Sequence, residues 1–481
     1  METENKPPLQ RQKRVVNVFV LAMLNVSIMA SLRNLPLVAE FGYTAIFFFA
    51  IAGLFFLIPC ALVSAELATG WPKSGGIYIW VREALGDRWG FFAIWMQWVH
   101  NVTWYPAMLS FVATTLAYVF FPAIAANKIY VLSVILIGFW GMTILNYFGI
   151  KTSALFSTIG VISGTIIPGL FIIFFGYFWF FAGKPTDLVF TPSALVPDFS
   201  DSSNFVFLAG LLLAFSGLEV SAGYAGEVKN PRRNFPVAII LAALITFILF
   251  MFGSLAIALV IPLDQISLVA GVMDALQIFL DNFHLSWLLP VLGILLIIGA
   301  VAEVNSWIIG PVKALYTTSI HGNLPPFFQV QNKRGMPTHL LLFQALIVSV
   351  FSFLFLFMPS LSGTYWMLSV LSSEMYLTMY LLMFISAIRL RYSAPEVPRA
   401  YRIPHPKRGM WIVSSIGIFS SLTAMGLGFI PPPRISIGNP LFFSLFLIFS
   451  LGIMIAIPLI IHEFKKPHWH PLPTQKKDVP R

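Results

Sequence analysis

Five ionisable side chains lie within long apolar stretches of this sequence: Arg33, Glu66, Glu219, Glu303 and Glu374. A charge at the centre of a membrane helix costs about 2.5–3.5 kcal/mol on insertion scales, unless it is paired or hydrated. Five such residues in one chain indicate that some of them have a functional role. For Glu66, near the end of its stretch, capping or solvation explains the position equally well.

Aromatic residues repeat at helical spacing near two of these acids. Glu303 and Trp307 are four residues apart and share one helix face, and Tyr376 and Tyr380 have the same spacing. An acid beside an indole, with two phenols opposite, can hold an ammonium group and shape a pocket around it. The spacing alone is more typical of packing than of binding.

Two apolar stretches are interrupted by small and polar residues at their centres. The first contains Ser31, Arg33 and Asn34, and the second contains Ser216 and Gly217 next to Glu219. A backbone that opens in mid-membrane frees polar groups, which are tolerated only where they line a cavity or bind something. The helix N-termini at such breaks suit a carboxylate. A lone Ser-Gly usually serves helix packing, but two matched breaks with charges predict an amino-acid site, with these six residues binding substrate.

The elements that carry these residues are membrane helices. Of the 481 residues, 58% are hydrophobic and 10% are charged, whereas about 25% of the residues in a soluble domain are charged. The apolar runs are continuous and twice as long as barrel strands. We therefore predict an all-α integral membrane protein with twelve transmembrane helices, called spans 1 to 12, over residues 15–39, 43–68, 89–121, 129–148, 154–182, 203–228, 235–262, 283–316, 340–358, 362–390, 411–430 and 440–463.

The two interrupted stretches are spans 1 and 6, which lie five spans apart. This spacing predicts a 5+5 inverted repeat with broken helices 1 and 6, over about 15–182 and 203–390, followed by spans 11 and 12 over about 411–463. Spans 3 and 8 are longer than a bilayer requires, which predicts tilting or kinks at Pro106, Pro290 and Pro311.

The distribution of positive charge predicts the orientation. With the N-terminus inside, only Lys128, Lys184 and Arg434 fall in outer loops, among 29 Lys and Arg residues. Both tails, 1–14 and 464–481, are then cytoplasmic, and we predict a multi-pass plasma membrane protein. The net charge of +10 is accordingly a topology signal, and we expect no nucleic-acid binding.

Two loop motifs carry a family resemblance. The segment from Pro72 to Trp80 resembles the loop between helices 2 and 3 of the amino acid–polyamine–organocation superfamily, and Glu227 to Pro236 resembles its signature after helix 6. Over residues 15–463 the chain is most similar to bacterial glutamate/γ-aminobutyrate antiporters. That resemblance implies that the transport path is lined by Glu219, Glu303, Trp307, Tyr376 and Tyr380.

The chain departs from that pattern in spans 1 and 5. Arg33 replaces a tyrosine of the helix-1 path, and Asn34 replaces the acid beside it. Arg33 could bind a substrate carboxylate in a bidentate manner, or it could form a fixed pair with Glu219 or Glu303; both alternatives stay open. Span 5 lacks the lysine that some relatives carry, so ion coupling is also open.

The tail after span 12 is shorter than the tail that blocks the cytoplasmic mouth in the relatives. It contains His462, His468 and His470 around Trp469. These histidines suit a reduced pH gate, although a basic tail usually binds anionic headgroups. His100 in span 3 is either a proton-responsive group or a packing residue.

These observations predict an amino acid antiporter that works by alternating access. It would exchange glutamate, or another acidic or neutral amino acid, for γ-aminobutyrate or a related amino acid. The alternative is a proton- or ion-coupled amino acid or polyamine symporter of the same fold. The sequence contains no recognisable nucleophile–base pair, Walker motif or metal-ligand cluster. We therefore expect no enzyme activity, no cofactor and no metal. The expected partners are amino acids, as substrates, and the lipid bilayer.

Overall fold

A computed structural model describes residues 17–72, 75–148, 159–197, 208–220, 228–405, 407–431 and 435–470. The predicted N-terminal tail over 1–14, the loop residues Lys73 and Arg434, and residues 471–481 lie outside this part. Within it the backbone is almost entirely helical, and the extended pairing is one isolated bridge between Gln331 and Pro337. The predicted all-α membrane fold is confirmed.

Eleven helices in the described residues are long and apolar enough to cross a membrane. They correspond to every predicted span except span 6, whose described part is the helix Leu208–Ala214 followed by a 3₁₀ turn at 218–220. The eleven segments are Val18–Ala39, Gly42–Gly70, Asp87–Phe120, Lys128–Tyr147, Ile159–Phe181, Arg233–Val260, Ser286–Asn323, Thr338–Phe357, Leu361–Ser393, Arg408–Gly428 and Pro440–Glu463.

Two further helices lie between spans, where the sequence analysis expected loops. Ile77–Leu85 connects spans 2 and 3, and Gly271–Asn282 connects spans 7 and 8. Both are amphipathic and too short to cross a bilayer. The second buries Leu276 and Phe279 against the bundle, and Tyr118 of span 3 donates a hydrogen bond to its Asp274. Their apolar residues are spaced along one face, so a search for continuous apolar runs misses them.

Prolines locally change the winding of two spans. A π-helical turn, Gly53–Leu57, precedes Pro59 in span 2, and another, Ile162–Ile166, precedes Pro168 in span 5. Proline has no N–H to donate, and π-turns are one way in which a helix absorbs that loss. Helices run on through Pro106 and Pro311. The prediction of a kink at Pro290 is wrong, because the helix Leu289–Thr318 begins there and proline suits a first turn.

Spans 5 and 8 cross at a contact between glycines. A Cβ atom built on Gly164 would overlap the backbone nitrogen of Gly299, and one built on Gly160 would overlap the Cβ of Ala302. The two backbones therefore touch with no side chain between them, which is the close approach that small residues allow in membrane bundles.

Glu66 is held in a buried ion cluster. Solvation, which the sequence analysis offered as one explanation for its position, therefore does not apply. Its carboxylate accepts two hydrogen bonds from Arg391 at the end of span 10, one of them 2.6 Å long, and lies 3.3 Å from Arg399. The backbone N–H of Ile403 donates a third hydrogen bond at 2.8 Å. All three charged side chains are 1% exposed. Glu66 thus ties span 2 to the connection between spans 10 and 11.

The described part of the tail packs against the end of span 8. The Gln329 side chain donates a 2.7 Å hydrogen bond to the carbonyl of Trp469, and the His470 ring lies over Gly322, where a Cβ would approach it to 2.9 Å. Lys465 forms a 3.0 Å ion pair with Asp87 at the start of span 3. The tail is therefore docked, although a pH gate stays a prediction.

Replacing Glu66 with Gln should strongly destabilise the protein. Gln keeps the shape but leaves two buried arginines without a counter-charge, and removing one partner of a buried pair typically costs about 3–5 kcal/mol. We expect a clear drop in the apparent melting temperature of the detergent-purified protein, followed by fluorescence-detected size exclusion.

The matched control is Glu463→Gln. Glu463 pairs with Arg88 at 3.2 Å, but the two side chains are 63% and 45% exposed, and exposed pairs contribute about 0–1 kcal/mol. Equal shifts for the two variants would contradict a structural role for the Glu66 cluster.

Candidate functional site

The first span is interrupted after Met29. The helix Val18–Met29 ends at Ala30, Ser31 is extended with φ −96° and ψ 110°, and a 3₁₀ turn then leads into a second helix at Leu35. The break frees the carbonyl of Ile28, which accepts a 3.3 Å hydrogen bond from the indole N–H of Trp307 in span 8. A freed carbonyl needs a protein donor in a membrane, so Trp307 has a structural task at the break.

The sixth span is interrupted after Ala214. Gly217 there has a φ of +109°, a conformation that glycine adopts without strain. Its N–H donates a 2.8 Å hydrogen bond to the hydroxyl of Tyr380 in span 10. A Cβ at position 217 would lie 2.7 Å from Cγ2 of Ile28 and 3.3 Å from the Trp307 ring. The two breaks therefore meet, with Gly217 against span 1.

Glu219 follows this break and is bound by protein donors. Tyr380 donates to one carboxylate oxygen at 2.5 Å, and Tyr376 and Gln97 donate to the other, Gln97 at 3.2 Å. The carboxylate is 1% exposed. The sequence analysis expected the two phenols to face a substrate ammonium group; in this conformation they bind Glu219 instead. The helical spacing of the two tyrosines predicts that they share a face, but not which group that face contacts. The sequence alone could therefore not decide between a substrate and Glu219.

Arg33, in the 3₁₀ turn that follows the first break, is 3% exposed. Its Nη1 donates a 2.7 Å hydrogen bond to the Tyr365 hydroxyl, and the guanidinium carbon lies 5.2 Å from the centre of the Trp104 ring. Among the ion pairs of the described residues, none joins Arg33 to Glu219 or Glu303. The fixed pair considered above is therefore not formed in this conformation.

A small cavity of about 30 Å³ lies beside the point where the two breaks meet, and residues of both breaks line it. Six of the predicted site residues line it, together with five that the site prediction did not include: Ser31, Arg33, Asn34, Ser216, Glu303 and Trp307, and then Ile28, Met29, His100, Trp104 and Ala214. Gly217, Glu219, Tyr376 and Tyr380 are outside its lining. Such a volume holds only one or two waters, so binding an amino acid requires side chains to move.

Aromatic rings connect the cavity to the Glu219 cluster. The His100 ring is stacked on Tyr376 with centroids 4.1 Å apart, and the Trp307 ring meets His100 edge-on at 5.8 Å. The ring nitrogen Nδ1 of His100 is 2.7 Å from the Ser372 hydroxyl. Sequence reasoning noted His100 but missed Trp104, although their four-residue spacing was the same signal that identified Glu303 and Trp307.

The cavity walls carry one cation and one acid. Glu303 lies beside Ser31 and within electrostatic reach of Arg33 without contacting it. Among the described residues no group of three or more His, Cys, Asp or Glu could hold a metal ion. A guanidinium and a carboxyl that face one small polar space can bind the two ends of a zwitterion, or the two ends of an amino acid with a charged side chain.

Comparisons with known proteins show which family and which relatives the sequence resembles. Residues 16–454 match the family described as amino acid permease. The chain is 44% identical to an uncharacterized transporter of Legionella pneumophila, over 96% of this chain and 98% of the relative. It is 31% identical to a glutamate/gamma-aminobutyrate antiporter of Lactococcus lactis, over 95% and 92%. A probable agmatine/putrescine antiporter of the same species is 23% identical over 76% and 77%.

Replacing Gly217 with Ala should impair the site. Alanine is strained at φ +109°, and its Cβ would overlap Ile28, so we expect a loss of stability of about 1–3 kcal/mol and a large loss of substrate uptake. Uptake by reconstituted protein and the apparent melting temperature would measure both effects.

Gly141→Ala provides the control, because Gly141 lies inside a helix and a Cβ there meets no other atom within 4 Å. That variant should retain uptake and gain slight stability from the higher helix propensity of alanine. If Gly217→Ala also retained uptake, the contact between the two breaks would have no role in binding.

Proposed function

This chain belongs to the amino acid permease family, and from that membership we propose that it is an amino acid antiporter that exchanges an acidic amino acid such as glutamate for γ-aminobutyrate or a related amino acid. It is a transporter and not an enzyme. The observation that carries the proposal is the cavity between the two breaks, where Arg33 and Glu303 are both buried and not paired with each other.

Arg33 supplies the selectivity for an acidic side chain. A buried guanidinium is costly unless a partner compensates its charge, and here its described contacts are a neutral hydroxyl and two aromatic rings. A substrate carboxylate can take the place of Tyr365 and form a bidentate pair with Arg33. The Nε of Arg33 has no hydrogen-bond acceptor in the described residues, and the substrate carboxylate would then supply one.

Glu303 binds the ammonium group of the substrate. It lies on the same face of span 8 as Trp307, and both line the cavity. The indole beside the carboxylate can contribute a cation–π contact as well as a wall. With Arg33 at the other end, the cavity would hold a molecule with a cationic and an anionic end, a description that fits both glutamate and γ-aminobutyrate.

Exchange follows from alternating access. Spans 1 and 6 hold the substrate between them and rock against the other spans, so that the site opens to one side of the membrane at a time. In the conformation described here the cavity is too small for substrate. Opening it requires Arg33 to leave Tyr365, or the bonds from Tyr376 and Tyr380 to Glu219 to break.

We also propose how the chain is oriented in the membrane and which membrane it spans. Both termini are cytoplasmic because most Lys and Arg residues fall on that side, and the membrane is a bacterial inner membrane, since the similar proteins reported above are bacterial. A proton- or ion-coupled symporter of the same fold is the alternative function.

Exchange and symport can be separated in proteoliposomes. Vesicles loaded with labelled glutamate, with no ion gradient, should release it only when an external amino acid is supplied. We expect release with γ-aminobutyrate and glutamate, and little with arginine. Release that depends on an imposed proton or sodium gradient would favour the symporter, and no release with any amino acid would refute the proposed function.

Substituting Arg33 tests the selectivity directly. Arg33→Ala should weaken apparent glutamate affinity about 10- to 100-fold, because a charge-assisted hydrogen bond contributes about 1.5–3 kcal/mol, and should affect a substrate with a neutral side chain much less. Arg33→Lys keeps the charge but loses the planar fork, so we expect it to restore part of the affinity.

The control for these variants is Tyr365→Phe, which removes the hydroxyl that binds Arg33 and leaves the guanidinium in place. This variant should bind glutamate at least as well as the native protein. Unchanged glutamate affinity in Arg33→Ala would show that the carboxylate is recognised elsewhere.

A further inference from the structure

Glu374 in span 10 is a buried acid that the proposed mechanism does not use. Its side chain is 0% exposed, and neither carboxyl oxygen accepts a hydrogen bond from any donor in the described residues. Glu66 and Glu219, by contrast, each accept three or more hydrogen bonds. A buried carboxylate with no donor is strongly disfavoured, so this environment favours the neutral, protonated form of Glu374.

The carboxyl group lies where span 10 packs against the outer end of span 11. A Cβ built on Gly428, the last residue of the helix Arg408–Gly428, would overlap Oε1 of Glu374 and lie 3.2 Å from Val370. The acid is thus pressed against backbone at a helix–helix interface, and it needs this glycine in order to fit.

Among the described residues, no charged group forms an ion pair with this acid. Span 11 contributes Arg408 alone, at its opposite end. None of the titratable groups on the other elements packed against span 10 forms a hydrogen bond or an ion pair with Glu374: Cys60, Glu66, Tyr78, Arg82, Glu83, Asp87, Arg88, His100, Tyr105, Tyr118, His462 and Glu463. On span 10 itself the nearest are Tyr376 and Tyr380, which bind Glu219.

Span 10 therefore connects two acids with different environments. Tyr376 lies two residues after Glu374, which places the two side chains on nearly opposite faces of the helix. One face holds Glu219 and the break of span 6, and the other holds Glu374 against span 11. A displacement of span 10 that releases Glu219 would also change the contact between Glu374 and Gly428.

We propose that Glu374 is a proton-binding site that couples amino acid exchange to pH. The carboxyl keeps its proton while spans 10 and 11 are packed as described here, and it releases the proton to water when that interface opens and becomes hydrated. Low pH accordingly favours the packed conformation, and this preference is lost as the pH rises. The inference rests on the proposed function, since it needs exchange to be measured.

Glu374→Gln tests the proposal, because Gln keeps the size of the side chain and cannot titrate. Glutamate exchange in proteoliposomes should vary with pH in the native protein by about fivefold or more, the lower end of usual coupling strengths. In Glu374→Gln the rate should be nearly independent of pH and should match the low-pH rate of the native protein. Glu374→Met, which is also of similar size, should have the same flat dependence of exchange rate on pH. It replaces Glu374→Gln as the test variant if Gln perturbs folding.

The control is Glu396→Gln, the same change at an exposed position between spans 10 and 11, which should keep the native pH profile. A native pH profile in both Glu374 variants would overturn the proposal while leaving the exchange function intact. Absence of exchange in the native protein would instead refute the proposed function. A flat pH profile in the native protein would also overturn the role of Glu374.

Discussion

The hydrogen bonds from Tyr376 and Tyr380 to Glu219 hold the interrupted sixth span against the continuous tenth span. A break in a membrane helix frees backbone groups that lipid cannot satisfy, so the protein must supply partners. The Tyr380 hydroxyl serves two groups at once, because it accepts from the Gly217 N–H and donates to Glu219. At the first break, the indole N–H of Trp307 donates a hydrogen bond to the freed carbonyl of Ile28. Each broken span is therefore anchored to an unbroken one, and movement of the broken pair must exchange these bonds.

Four of the buried glutamates, Glu66, Glu219, Glu303 and Glu374, differ in their partners, and their partners indicate their roles. Glu66 is neutralised by two arginines and ties span 2 to the connection between spans 10 and 11. Glu219 is held by neutral donors, Glu303 faces the small cavity, and Glu374 has no donor in the described part of the chain. Since an acid with fixed partners cannot readily bind a substrate or a proton, only the last two are poised for transient binding.

The spans, their order and the two breaks could be predicted from the sequence, because apolar length and interrupting polar residues are local properties. The cost of placing a charge in an apolar stretch likewise singled out Arg33, Glu303 and Glu374 by residue type and position alone. The partners could not be predicted. Arg391 reaches Glu66 across 325 residues, and Tyr365 reaches Arg33 across 332. The short helix Gly271–Asn282 was missed because its apolar residues form one face and not a run.

The glycine contact between spans 5 and 8 limits how the transporter can move. Gly164 and Gly299 meet backbone to backbone, so at this point no layer of flexible side chains can deform to absorb a displacement. Spans 5 and 8 can pivot about the contact, but sliding along it would drive Gly160 and Ala302 into each other. Span 8 carries Glu303 and Trp307, so in the proposed rocking motion this crossing would act as a fulcrum, and the cavity wall formed by these two residues would stay at nearly constant depth in the bilayer.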